Sequence, residues 1–214
     1  MSFLCKVFFI LFLSTTTLFA DEASNWLKQQ IDTILDAYKN TSISKVDRFN
    51  LIEDSINNNF AGAGIAKFVA GNSWSSASKE TKKEYIQLFK KHLALNISSI
   101  MQGYSNQEYE LINSKYDEKN KVSMINMEIY TDTGNLLVTW RVKKSKDRYF
   151  VIDLIVADIS LVVTKRSEFH SMLKRVDGKL IELNDILRSQ NESSYSLLNN
   201  KWIVRQHHLF IRRR

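Results

Sequence analysis

Residues 136–156 read LLVTWRVKKSKDRYFVIDLIV. In an extended chain Leu136, Val138, Trp140 and Val142 point one way, and Leu137, Thr139, Arg141 and Lys143 the other. Lys144 to Asp147 supply a turn, and the run Tyr149–Val156 that follows is apolar on both faces except for Asp153. Alternation with period two on either side of a short polar turn predicts a β-hairpin. A strand apolar on both faces predicts a central place in its sheet with both sides covered.

The same period extends outward from this hairpin. Residues 108–115 and 121–130 read as two earlier strands, with Asp132-Thr133-Gly134-Asn135 as a turn, and Ile159, Leu161 and Val163 continue an alternating edge. Before Gly103 the period is three to four. Leu27, Ile31, Ile34, Leu35 and Tyr38 line one side of a helix over 21–38. Ser44, with Asp47 three residues on, opens a second helix whose buried face is Val46, Phe49, Ile52 and Ile56. The glycine-bearing stretch FAGAGIAKFVAGN (60–72) is a short helix in close contact with a neighbour. Ser76 or Ser78 opens the longest helix, to about Met101, with Tyr85, Leu88, Phe89, His92, Leu95 and Ile100 near one side. Two helices, about 166–175 and 179–190, close the pattern. Helices, then four to five antiparallel strands, then helices make an α+β layer arrangement.

The chain has 214 residues, 44% of them hydrophobic and 25% charged, with no proline and one cysteine. Average usage would give roughly ten prolines, so Pro-rich linkers are excluded and long regular elements are favoured. Disorder and fibrous repeats do not fit this composition. The formal charge of +7 invites a nucleic-acid reading. Its placement removes that reading. Lys6 carries one charge and Lys201, Arg205, Arg212, Arg213 and Arg214 carry five, which leaves +1 over residues 21–200. Nucleic acid is not an expected partner.

Residues 1–20 have the form of a secretory signal peptide: Lys6, the apolar run VFFILFL (7–13), and Leu18-Phe19-Ala20 before Asp21-Glu22. The apolar run is too short to span a bilayer. Cys5 precedes that run, so it is not a lipoprotein cysteine, and cleavage after Ala20 leaves a mature chain without thiols. Disulfides, thiol catalysis and sulfur-ligated zinc are then excluded. The expected organisation is a signal peptide at 1–20, one domain at 21–190, and a polar, then basic, flexible tail at 191–214. The tail segment KWIVRQHHLFIRRR (201–214) either touches an anionic membrane, at about 1 kcal/mol per basic group, or is an incidental extension.

No phosphate-cradling glycine loop, no G-x-S-x-G, no H-E-x-x-H and no acidic calcium loop occurs. His92 and His170 lack a second metal-type ligand at helical spacing, and His92 sits among apolar neighbours. No cofactor or metal is expected. Asn-x-Ser/Thr at Asn40, Asn96 and Asn191 is at chance frequency for so Asn- and Ser-rich a chain. Asp153 has two accounts. A carboxyl sharing a strand face with Tyr149 and Val151 would have a raised pKa and serve as a general base in a small hydrolase or isomerase. The plainer account is a carboxylate that caps a helix or pairs with Lys or Arg.

The segment YFVIDLIVADISLVVTKRSEF (149–169) resembles the signature of the MlaC, or toluene-tolerance auxiliary, protein family. Tyr149 takes the aromatic position, Asp153 the acid, Ser160 the serine, Arg166 the arginine and Phe169 the second aromatic. Asp158 stands where the family usually has Gly, and Lys165 where Tyr is common. Gly71-x-x-Trp74 before a Ser-capped helix with Tyr85 and Phe89, and Val176-Asp177-Gly178-Lys179-Leu180, are similar to further family patterns. The resemblance covers about residues 24–190.

It implies a periplasmic phospholipid carrier, not an enzyme, that holds acyl chains in an apolar cavity between sheet and helices. The implied partners are phospholipid, an outer-membrane lipoprotein–porin complex and an inner-membrane ABC transporter with an MCE-domain subunit. The implied role is maintenance of outer-membrane lipid asymmetry by a monomer. Candidate lining residues are the large apolar side chains Phe68, Trp74, Phe89, Met101, Tyr104, Met127, Trp140, Tyr149, Val151 and Phe169. Apolar pattern alone does not separate core from ligand cavity.

Overall fold

The computed structural model describes residues 22–104 and 106–199. The segments expected to be a signal peptide (1–20) and a basic tail (201–214) lie outside the described residues. Five helices come first: α1 (Glu22–Lys39), α2 (Lys45–Asn59), α3 (Gly62–Ala70), α4 (Ser73–Ser76) and α5 (Lys79–Met101). An antiparallel meander follows, β1 (Tyr109–Asp117), β2 (Val122–Ile129), β3 (Leu136–Ser145), β4 (Arg148–Val156) and β5 (Ile159–Ser160), paired in that order. Helices α6 (Leu161–Lys174) and α7 (Leu180–Asn199) end the fold. The expected α+β class is what the chain adopts.

The helix starts are set locally. Ser44 Oγ accepts from Asp47 N at 3.1 Å, and Ser78 Oγ accepts from Thr81 N at 3.1 Å, so each serine satisfies one orphan amide of its helix. Ser160 does the same for α6 through Val163 N, also at 3.1 Å. That cap overturns one expectation. Ile159, Leu161 and Val163 were expected to continue a strand, yet pairing stops at Ser160 and a helix begins at Leu161. The turn before it explains the Asp158 departure from the family pattern. Ala157 and Asp158 have φ of 46° and 64°, the left-handed pair that links Val156 to Ile159. Gly is the low-cost residue there, and Asp is among the few others that tolerate it.

Three further expectations are corrected. β4 is not central, since its outer neighbour is only the two-residue β5. Its two apolar faces are nonetheless covered, because α1 packs over Val151 and α6 packs against β4. α7 does not end near Gln190 but runs to Asn199, with Asn191 buried and Tyr195 5.3 Å from Phe49 between ring centres. Ile100, expected on the buried side of α5, is 75% exposed near the end of that helix.

The buried side chains form three clusters. One joins α3, α5, α6 and α7 around Tyr85, Phe89 and Phe169; a second sits between α1 and the sheet; a third joins α2 to α5. Phe60, between α2 and α3, packs against all three. Its backbone bridges Val151 of β4, and Ala61 N donates to Val151 O at 2.9 Å. A backbone link thereby fastens the α2–α3 connection to the sheet. α5 and α7 are held by buried asparagines: Asn184 Nδ2 donates to Thr81 O and Asn191 Nδ2 to Leu88 O, at 3.2 and 2.9 Å. With Asn191 committed to that bond and 2% exposed, it is no glycan acceptor in the folded chain.

Candidate functional site

Residues 149–169 meet at the junction of β4 and α6. The strand register there contains an irregularity: Arg141 pairs with Asp153 but Val142 pairs with Val151, so Ile152 is an extra residue in β4. Directly opposed residues share a face, and Arg141 and Val142 point to opposite faces. The bulge therefore turns Asp153 away from Tyr149 and Val151, with which it was expected to share a face. Asp153 Oδ2 accepts from Ser160 Oγ at 2.7 Å and lies 3.5 Å from Arg141 Nη1, while Oδ1 accepts from Val162 N at 3.1 Å. The carboxylate, 3% exposed, is occupied in capping α6 and pairing Arg141, as the plainer account of it expected.

The other face of the sheet carries the apolar surface beneath α1. Trp140, Tyr149, Val151 and Leu154 pack with Val142 and Ile125 against Ala23, Trp26 and Leu27 of α1. Buried Met127 lies in β2 paired with Val138, two places along the same face. The Trp140 indole Nε1 is buried with no hydrogen-bond partner among the described residues. α1 is tied down along its length at its polar margins. Tyr149 Oη donates to Glu22 at 2.7 Å, Lys144 Nζ lies 3.1 Å from the same carboxylate, and Tyr109 Oη donates to Asp32 at 2.6 Å. The Tyr149 hydroxyl first, and Lys144 next, hold the Glu22 carboxyl below the usual carboxylate range.

The remaining candidates sit elsewhere. Phe89 and Phe169 are fully buried in the helical core, with Trp74 at its margin, its ring 6.5 Å from Tyr85. Phe68 is 42% exposed on α3, with the Arg166 guanidinium stacked 4.4 Å over its ring. Met101 belongs to the α2–α5 cluster, and Tyr104 lies nearby, edge-on to Tyr38 at 6.4 Å. The ten candidates are thus dispersed over the fold: Trp140, Tyr149, Val151 and Met127 share one sheet face, Trp74, Phe89 and Phe169 the helical core, and Phe68 stands at the surface. Of the α1 side chains that complete that surface, Leu27 was legible as part of a helical stripe, while Ala23 and Trp26 were missed.

Two polar groups in the helical core yield predictions. Tyr85 is fully buried, and its hydroxyl has no partner among the described residues. Burial pushes its pKa far above the ordinary tyrosine value. An unpaired buried hydroxyl costs free energy, so Tyr85→Phe is expected to raise stability by about 1 kcal/mol. A urea unfolding midpoint below that of the parent would refute this.

His92 is half-buried, 5.7 Å from the Phe169 ring, with Nδ1 3.3 Å from Asn191 Oδ1. Burial first, and Lys165 next, hold its pKa below the ordinary 6.5. The folded state thus keeps the ring neutral where the unfolded chain already binds a proton. This contribution is flat above pH 6.5 and costs stability as pH falls from 6.5 toward the lowered folded value. His92→Gln is expected to flatten the change in unfolding midpoint between about pH 7.5 and about pH 5.5. An unchanged slope in that variant would count against it.

Among the described residues no group of three His, Cys, Asp or Glu is placed to hold a metal ion. No described helix is long and apolar enough to cross a membrane.

With this geometry in place, comparison with known proteins decides the family. The model of the MlaC protein family matches residues 28–189. The chain belongs to the MlaC family. Seven solved chains match it in structure. One is a phospholipid-binding protein from Ralstonia solanacearum, solved in complex with a phospholipid at 1.53 Å. It superposes with a TM-score of 0.69 at 16% identity, over 81% of this chain and 98% of the Ralstonia chain. At that identity the likeness is one of fold. Curated proteins return no match to the sequence.

The MlaC signature can now be assigned physical roles. Tyr149 fastens α1, Asp153 and Ser160 together start α6, Arg166 stacks on α3, and Phe169 fills the helical core. In this MlaC-family chain the conspicuous signature residues assemble the junction of sheet and helices.

Proposed function

We propose that this chain carries a phospholipid through the periplasm, its acyl chains sheltered between α1 and the sheet face that bears Met127, Trp140, Tyr149 and Val151. The observation that carries this reading is the MlaC-family match over residues 28–189, whose structural neighbour from Ralstonia is described as phospholipid-binding. The physical chemistry agrees. A phospholipid has on the order of 30 acyl methylenes, each costing about 0.8 kcal/mol in water, so roughly 24 kcal/mol opposes free transit. Transit calls for a continuous apolar shelter, and for no nucleophile or cofactor. Lifting α1 would expose such a surface, because the clasps from Glu22 and Asp32 lie at its margins while its apolar face, with Leu27, covers the strands. Loading would then require membrane partners that favour the open arrangement over the closed one. We assign those roles to an outer-membrane lipoprotein–porin complex and an inner-membrane ABC transporter with an MCE-domain subunit, and the outcome to outer-membrane lipid asymmetry.

The test is mass spectrometry of lipid extracted from the purified mature chain. About one phospholipid per protein is expected. Absence of lipid, both from native cells and after reconstitution with vesicles, would sink the reading. Trp140→Arg is expected to abolish loading, since a charge beneath α1 has no partner in an apolar shelter. Trp140→Phe should keep both fold and lipid. Full loading of Trp140→Arg would move the acyl site away from this face.

A further inference from the structure

A groove of about 590 Å³ opens on the far side of α6, between that helix and the α3–α4 connection. None of the ten residues expected to line a lipid cavity lines it. Its floor is apolar, with Val69, Ala70 and Leu173, and its wall is basic: Arg166, His170 and Lys174 all face it. These three stand at i, i+4 and i+8 on α6, the spacing that stacks side chains along one helix face.

The charges on this wall are not used up within the fold. Lys165, on the same helix, pairs with Glu168 at 2.7 Å, and Lys179 pairs with Glu182 at 2.9 Å. Arg166 and Lys174 have no carboxylate within ion-pairing distance among the described residues, although the groove also includes Asp177. The Arg166 guanidinium carbon lies 4.4 Å from the centre of the Phe68 ring, a cation–π contact that holds the charge at the groove without neutralising it. Across the groove the chain turns at Gly71, with φ of +56°, and a Cβ there would come within 3.8 Å of Arg166 Nη2. The turn thus brings backbone, and Asn72 and Ser73 beyond it, close to the guanidinium.

We propose that this groove is a binding site for a phosphate-ester anion, with Arg166 and Lys174 as its principal ligands and His170 between them. Unpaired cations in a concave site with an apolar floor concentrate positive potential there. A guanidinium can offer two parallel N–H donors to two oxygens of one phosphate, which a scattered surface lysine does not. The anion is either a lipid headgroup presented at a membrane surface or a soluble phosphate ester. The site is separate from the apolar surface under α1 and does not depend on the carrier reading.

The test is an amide-resolved NMR titration of the mature chain with sn-glycerol 3-phosphate, and cosedimentation with vesicles of phosphatidylglycerol or of phosphatidylcholine alone. Saturable shifts are expected at Gly71, Asn72 and Ser73 and along residues 166–178. The double variant R166Q/K174Q, altered only at exposed positions, should weaken binding at least about tenfold. Lys165→Gln should leave it within about twofold, because that lysine already has a carboxylate partner. Phosphatidylglycerol vesicles retained by the parent and lost by R166Q/K174Q identify the source as a headgroup; ester binding without vesicle retention identifies a soluble ligand. No shift at these amides with either probe, or equal affinity in R166Q/K174Q, overturns the site. Lipid copurified with the parent is scored separately, so an empty carrier and an empty groove are distinguishable outcomes.

Discussion

Phe169→Ala is expected to lower the free energy of unfolding by about 3–5 kcal/mol. The ring is 1% exposed and lies 6.3, 5.4 and 5.7 Å from the rings of Tyr85, Phe89 and His92. Its cluster draws on α3, α5, α6 and α7 together, so no single element can close over the space left behind. Domains of this size have net stabilities of about 5–15 kcal/mol, which makes the loss a large fraction of the whole. Urea unfolding should show a lower midpoint with an unchanged slope, since the surface exposed on unfolding is the same. Phe169→Leu, which refills most of the volume, should cost less than about 2 kcal/mol. A Phe169→Ala loss no larger than that of the leucine variant would mean that the helices collapse onto the gap.

Asp153→Ala is expected to cost about 2–4 kcal/mol. The substitution removes the acceptor of the Ser160 hydroxyl and of the Val162 amide, and it strips the charge partner from Arg141. Arg141 is partly exposed, so water recovers some of its loss. The Val162 amide and the start of α6 do not recover so readily. Ser160→Ala alone should cost about 1 kcal/mol, the usual worth of an N-cap. Because Ser160 and Asp153 act on the same helix end, the double variant should cost less than the two single losses combined. Strict additivity in that cycle would mean that the two residues stabilise the junction independently. Were Asp153 a general base, its removal would abolish a turnover without this loss of stability.

How far the site was legible follows from particular residues. Ser44 announces its helix, and the Ser76–Ser78 pair narrows the next start to two candidates, because a cap needs only the amide three residues on; the strands announce themselves through a period that is equally local. The start of α6 was misread for the opposite reason. Ile159, Leu161 and Val163 alternate like a strand, and the Ser160 cap at that helix start is itself fixed by Asp153, which accepts from the Ser160 hydroxyl and from the Val162 amide nine positions downstream on another element. The polar stretch after Gln190 concealed the end of α7, because its burial rests on scattered contacts such as Tyr195 on Phe49. The candidate lining residues were all recognisable as large and apolar, but periodicity says which face is buried and not what lies against it. Trp140 and Phe169 therefore read alike, although one lies beneath α1 and the other among helices.

Sequence alone determined the α+β order, the cap at Ser44, the near-neutral charge of residues 21–200 and the family resemblance, because each depends on residue type and short spacing. Tertiary structure alone decided which face Asp153 occupies, since one extra residue at Ile152 inverts everything beyond it. It also decided that Arg166, His170 and Lys174 face a groove: nothing in their spacing on α6 reveals that Gly71 turns the chain opposite them. Local periodicity sets what each element is, and the choice of partner across the fold sets what each side chain can do.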